Sequence, residues 1–126
     1  MAQAAALHRL FPGSTVAMRR GVLTWRGNLR PTEISLEYRV EIKYSPQLAP
    51  KVRVTHPALE RREGKRPPHM YRGELLCLYY PEGREWAASM LLAESIVPWS
   101  AEWLFFYESW LLTGEWDGGG IHPPTK

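Results

Sequence analysis

Cys77 is the only cysteine in the chain and the side chain best suited to covalent chemistry. It sits in the apolar run LLCLYY at 75–80, directly after an irregular cationic stretch. A thiol flanked by Leu75, Leu76, Leu78 and Tyr79 is ordinarily a small buried hydrophobe. Its setting supports a second reading. His69, Arg72 and the run Arg61, Arg62, Lys65 and Arg66 precede it, and nearby cations favour the thiolate, which is the nucleophilic form. A thiolate can take an acyl group as a thioester and pass it to an amine.

Other chemistries fit less well. His56, His69 and Cys77 are separated by thirteen and eight residues, match no common zinc spacing and lack a fourth ligand, so no metal is expected. No cofactor motif is present either. A Cys-His-Asp hydrolase needs an acid or amide to orient the histidine, yet no Asp precedes Asp117 and Asn28 is the only Asn. A Cys-His dyad stays open. The basic cluster at 61–66 can be read as a nucleic-acid footprint or as a solvated loop. No aromatic residues interleave with it as a stacking surface requires, so nucleic-acid binding is not expected. Steep salt dependence of RNA affinity would favour the minority reading.

These residues need elements to hold them. The Ala-rich stretch 2–10 predicts a helix that Pro12-Gly13 stops. Residues 15–28 read as a strand. In 33–44, Ile34, Leu36, Tyr38, Val40, Ile42 and Tyr44 alternate with polar residues, which predicts a strand with one buried face. KVRVT at 51–55 predicts another, giving a meander of about three strands. Residues 56–73 contain three prolines, two glycines and five Lys or Arg, with no regular period; such loops are often functional.

Beyond the turn PEG at 81–83, the stretch from Glu85 predicts a helix with Trp86, Met90, Ala93 and Val97 on one stripe, interrupted by Pro98. Ser100 is the expected N-cap of a second helix. Trp103, Phe106, Tyr107, Trp110 and Leu111 form its apolar face, for core packing or for a partner, and Gly114 is its expected C-cap. The order is that of an α+β fold in one domain, 1–126, with a flexible tail at 117–126. No stretch approaches the ~20 apolar residues of a membrane span. The opening MAQAAALHRLFPG does not suit a signal peptide. The expected location is the cytoplasm, free of membrane.

With those residues in place, the sequence resembles the ubiquitin-conjugating enzymes. Their order is a helix, a meander, a His-Pro-Asn loop, the active cysteine, a Trp some eight residues on, and further helices. Here Pro50-Lys51-Val52 resembles the opening of their third strand, LLCLYYP the segment around their nucleophile, and Trp86 follows Cys77 by nine residues. His56-Pro57 lies too far from Cys77 for the loop motif without an insertion. Counted back from Cys77, His69 in Pro67-Pro68-His69 takes the Asn position. The resemblance implies an antiparallel sheet of three to four strands with an N-terminal helix and C-terminal helices. It implies Cys77 as the thioester-forming residue. For His69 three roles stay open: donor to an oxyanion or organiser of the loop, ion-pair partner of the thiolate, or no chemical role. Glu82, Arg84 and Glu85 are solvated on this reading, and one of them can orient an incoming lysine.

Within that fold, HMYRGELLCLYYP, IVPW, EWLFFYESWLLTGEW and the final His122-Pro123 most resemble the stand-alone bacterial conjugating-enzyme-like proteins of cyclic-oligonucleotide anti-phage signalling systems, CBASS, of the short type II kind. That resemblance implies a cGAS-like nucleotidyltransferase as partner. The partner's C-terminal carboxyl would be carried on Cys77 and transferred to an amine. Two routes stay open for loading: activation of the carboxyl by a separate activating enzyme, or a different way of charging the cysteine. A non-catalytic module that holds and regulates the nucleotidyltransferase is the alternative.

Overall fold

The computed structural model describes residues 2–79 and 85–118. Helix α1 spans Ala2–Leu10, and four strands follow: β1 Thr15–Arg19, β2 Val22–Leu29, β3 Tyr38–Ser45 and β4 Leu48–His56. They form one antiparallel sheet in sequence order. The short strands β5 (Met70–Tyr71) and β6 (Leu75–Leu76) pair separately, and helix α2 runs Ile96–Thr113. The expected α+β layout with an N-terminal helix and an antiparallel meander of three to four strands is the observed one, with four strands in the sheet.

The single strand expected over 15–28 is two strands. Arg20 and Gly21 both take positive φ, 52° and 79°, the geometry of a two-residue hairpin turn that matches strand twist. On β3 the alternation holds from Tyr38 onward, and β2 buries alternate residues against it. Leu23, Trp25 and Leu29 face Tyr38, Val40, Ile42 and Tyr44 across the register Trp25↔Ile42, and all are buried. Trp25 lies across Gly27, where a Cβ would collide with the indole. Its Nε1 donates to Ser14 Oγ at 2.8 Å, so the polar end of this buried ring is satisfied.

The same alternation fails at its start. Ile34 and Leu36 are 97% and 59% exposed, and β3 begins only at Tyr38. Local hydrogen bonding takes precedence: Thr32 N–H donates to Ser35 Oγ at 3.1 Å, and Ser35 N–H donates to the Thr32 carbonyl at 3.1 Å. Ser35 Oγ then donates to Glu108 on α2 at 2.6 Å, and Tyr38 Oη donates to the other carboxylate oxygen at 2.7 Å. The connection is thereby tied to the helix before the strand begins.

The helix expected from Glu85 is not present. Residues 88–90 form a turn and Leu92–Glu94 one turn of 3-10 helix. The apolar stripe misled because Gln3 on α1 supplies this segment with non-helical partners. Its amide donates to the Met90 carbonyl and accepts from Leu92 N–H, both at 2.8 Å. Helix α2 starts at Ile96, so Pro98 falls in its first turn, where a missing N–H breaks no intrahelical bond. Ser100 is inside the helix, its hydroxyl donating to the Ile96 carbonyl at 2.7 Å, and is not the N-cap. Gly114 is the C-cap as expected, with φ 84° and its N–H on Trp110 O at 2.8 Å. Trp103, Leu104, Tyr107 and Trp110 bury the helix face in one core with Leu7, Trp25, Ile42 and Val52.

The expected 81–83 turn, Glu82 and Arg84 fall outside the described residues. So do residues 119–126 of the expected tail.

Candidate functional site

Cys77 follows a very tight hairpin. Strands β5 and β6 pair Met70↔Leu76 and Tyr71↔Leu75. The connecting turn Arg72–Glu74 needs positive φ at Gly73 (75°) and Glu74 (62°), and glycine is the residue that takes such a conformation without steric penalty. One rung beyond Met70↔Leu76, Cys77 N–H donates to the His69 carbonyl at 2.9 Å. Trp103 Nε1, reaching from α2, donates to the same oxygen at 3.0 Å. The hairpin thus holds the cysteine in register, and the helix holds the hairpin.

Cations in the irregular loop act as braces. Arg66 Nη2 donates to the Tyr71 carbonyl at 3.1 Å, and Arg53 Nη2 from β4 donates to the Gly73 carbonyl at 3.3 Å. Arg61 Nη1 donates to the Gly64 carbonyl at 3.3 Å, and Arg62 Nε to the Leu111 carbonyl of α2 at 3.2 Å.

Cys77 is 6% exposed. Its sulfur lies 3.3 Å from the Tyr71 hydroxyl and 3.6 Å from the Tyr79 carbonyl oxygen. Burial pushes the thiol pKa up, hydrogen bonding to Tyr71 and to the Tyr79 backbone opposes this, and the charge of Glu85 pushes further upward. The net direction is upward. The expected lowering of the thiol pKa by His69, Arg72 and the basic run is therefore corrected: burial dominates, and Arg61, Arg62 and Arg66 bind main-chain carbonyls. The Tyr71 hydroxyl is itself pushed up, first by burial and then by its hydrogen bond to Cys77.

His69 meets the cysteine through its main chain. The residue is 8% exposed with φ 58°. Its ring packs on Trp116, centroids 5.1 Å apart, and Trp116 in turn lies 5.3 Å from Trp103. The imidazole is buried among aromatics and does not sit at the lip of a groove. His56 ends β4 opposite Arg39, on the main sheet. Trp86 packs edge-on to Tyr44 at 6.1 Å and near Tyr79 at 6.2 Å, bordering the segment that carries Cys77.

Beside the cysteine segment lies a groove of about 270 Å³. Residues 48–52 of β4 form one wall, Tyr71, Leu75, Leu76, Leu78 and Tyr79 the other, with Ile96 also lining it. Lys51 is the only charged residue among them. Tyr71 is the functional candidate that sequence reasoning missed. Gly73, between Tyr71 and Leu75, was the available signal: a glycine there permits a tight reversal that returns the chain past Tyr71 to Cys77.

Among the described residues no helix is long and apolar enough to cross a membrane. Nor do three His, Cys, Asp or Glu side chains converge there on a metal-sized site. No curated protein matches the chain. A family model described as Type II CBASS E2 protein matches residues 3–123, a span that takes in α1, the meander, the Cys77 hairpin and α2. With that coverage, this α+β chain with its hairpin-mounted cysteine belongs to the type II CBASS E2 proteins, and its role lies in CBASS anti-phage defence.

Proposed function

We propose that Cys77 carries an acyl group as a thioester, and that the acyl group is the C-terminal carboxyl of the system's cGAS-like nucleotidyltransferase. The observation that carries this reading is the setting of the sulfur. The sole cysteine stands at the end of a braced hairpin, in contact with a tyrosine that also lines an apolar groove. A groove of about 270 Å³ has room for a short apolar segment of an incoming chain.

The chemistry balances as two displacements. The Cys77 thiolate attacks a carboxyl already activated by another enzyme, as an acyl adenylate or a thioester. The S–C bond forms, and the bond to the leaving group breaks with its electron pair. An amine then attacks the thioester carbon, a C–N bond forms, the C–S bond breaks, and the thiolate is regenerated as the nitrogen loses a proton to solvent. In this scheme His69 organises the loop. Its carbonyl receives both Cys77 N–H and the Trp103 indole, while its ring is anchored on Trp116.

One observation favours a second reading. The thiol is buried and its pKa is raised, which suits a packing residue in a non-catalytic module that holds and regulates the nucleotidyltransferase. Co-expression with the native CBASS neighbours separates the two. Carrier chemistry gives a Cys77 adduct of the partner's mass that thiol reductants release. Cys77→Ser traps it as an oxyester, and Cys77→Ala abolishes both adduct and defence. Full defence in Cys77→Ala, with partner affinity retained and no adduct in the wild type, would establish the binding module.

A further inference from the structure

We infer that Tyr71 is a positioning residue for Cys77: its hydroxyl holds the sulfur beside the apolar groove and donates a hydrogen bond to the thiolate once it forms. The inference rests on the reading of Cys77 as an acyl carrier, but its test reads the thiol alone.

Geometry carries the argument. Tyr71 Oη is 3.3 Å from Cys77 Sγ, within range for a hydrogen bond involving sulfur. Among the described residues it is the side chain that hydrogen-bonds the sulfur; the other contact is the Tyr79 main chain. Tyr71 is also fixed in place. Its backbone pairs with Leu75 across the hairpin, and its carbonyl accepts from Arg66 at 3.1 Å. The same residue lines the groove with Leu76 and Leu78, the neighbours of Cys77 on either side.

Chemistry gives this contact its sense. A buried thiol has lost the water that would solvate its anion, so a hydrogen bond to the anion becomes the main means of stabilising it. A neutral phenol is a good donor to a thiolate provided it stays protonated. The tyrosine does so here, because burial and the sulfur itself both push its pKa upward. The groups acting on the sulfur among the described residues are Tyr71, Tyr79 and Glu85. Burial and Glu85 disfavour the anion, and the Tyr79 backbone offsets part of that. Tyr71 is placed to act in the same offsetting sense.

The test is the pH profile of Cys77 alkylation by iodoacetamide in the full chain, followed by intact mass. With one cysteine in the sequence, every added mass reports this site. Tyr71→Phe keeps the ring and removes the donor. The expected result is roughly tenfold less thiolate at neutral pH, with the midpoint shifted upward by about one unit. The plateau rate at high pH should rise about threefold, since a more basic thiolate is the better nucleophile. A merely structural role would change access at every pH and leave the midpoint in place. Site-specific 3-fluorotyrosine at position 71 provides a second arm with the opposite sign: a stronger donor of nearly the same shape lowers the midpoint. If Tyr71→Phe does not fold, the fluorinated chain decides alone. An unmoved midpoint in the folded variants overturns the inference. Failure to find any acyl adduct would overturn the carrier reading and leave this result intact.

Discussion

Cys77 and His69 are joined main chain to main chain, the cysteine N–H on the histidine carbonyl at 2.9 Å, and Trp103 adds its indole N–H to the same oxygen at 3.0 Å. His69 therefore acts on the cysteine's placement through its backbone, and Trp103 of α2, 34 residues further along in sequence, takes part. Trp103→Phe should test that tie. The ring stack on Tyr107, centroids 5.6 Å apart, can survive, while a buried donor is removed and the carbonyl keeps Cys77. The expected loss is about 1–2 kcal/mol in urea unfolding. Iodoacetamide should also label Cys77 faster, as the hairpin loses its link to α2. A stable variant with wild-type labelling would count against the tie.

His69 substitutions should sort by backbone as much as by ring. The φ of 58° is one that Asn accepts more readily than Ala, whose left-handed conformation costs roughly 1 kcal/mol. His69→Asn is expected to fold and to transfer, although it gives up the stack on Trp116. His69→Ala should lose both the stack and the backbone preference, and with them most transfer activity. The measurement is single-turnover discharge of the Cys77 adduct alongside thermal unfolding. Normal discharge by His69→Ala would leave the imidazole without a role at this site, since the variant keeps the carbonyl that Cys77 and Trp103 share.

How much of this was legible in the sequence depends on where the decisive partner lay. The period-two run at 38–44 was legible because the strand's own burial writes the pattern. The same run overreached to Ile34 and Leu36, since Ser35 is claimed by Thr32 and by Glu108, 73 residues away. The helix expected from Glu85 failed for a similar reason. Gln3, 87 residues from Met90, satisfies that backbone without a helix, and nothing local announces it. At the site, Cys77 was conspicuous as the only cysteine. Tyr71 was not, because its role comes from a chain reversal only a few residues long. The cationic run was visible, but its use was not: arginines that bind carbonyls look in sequence like arginines that activate a thiol.

Arg62 should matter more than a surface arginine usually does. Its guanidinium caps α2 through the Leu111 carbonyl at 3.2 Å, and it packs close to Gly114, where a Cβ would collide with it. Nearby, Glu60 N–H donates to Tyr107 Oη at 2.7 Å, so the irregular loop is sewn to the helix at two points. Arg62→Ala is expected to lower stability by about 1 kcal/mol. Its ion pair with Glu63 contributes little, since that carboxylate is largely exposed. Glu63→Ala should therefore be close to neutral in the same urea titration. Equal losses in the two variants would mean that the ion pair, and not the helix carbonyl, is the point of attachment.

Stability should fall at alkaline pH, and Cys77 should account for the first part of the fall. Folding raises its pKa because burial disfavours the thiolate. Above the unfolded value of about 8.5, the unfolded chain releases this proton while the folded chain keeps it. The unfolded state then binds fewer protons, so unfolding free energy decreases as pH rises towards the folded pKa, and is unaffected by this group well below the unfolded value. Tyr38, Tyr71, Tyr79 and Tyr107 are shifted in the same direction, each with burial as the largest cause, and add a second, steeper loss above about pH 10. Urea unfolding at pH 7, 8.5 and 9.5, each value held to about 0.1 unit, separates the two contributions for the wild type and Cys77→Ala. The variant should be less stable than the wild type at pH 7, through the lost packing, but should lose less stability between pH 7 and about 9.5. Parallel curves over that range would show that the folded thiol titrates at its ordinary value. Burial would then not be controlling the sulfur.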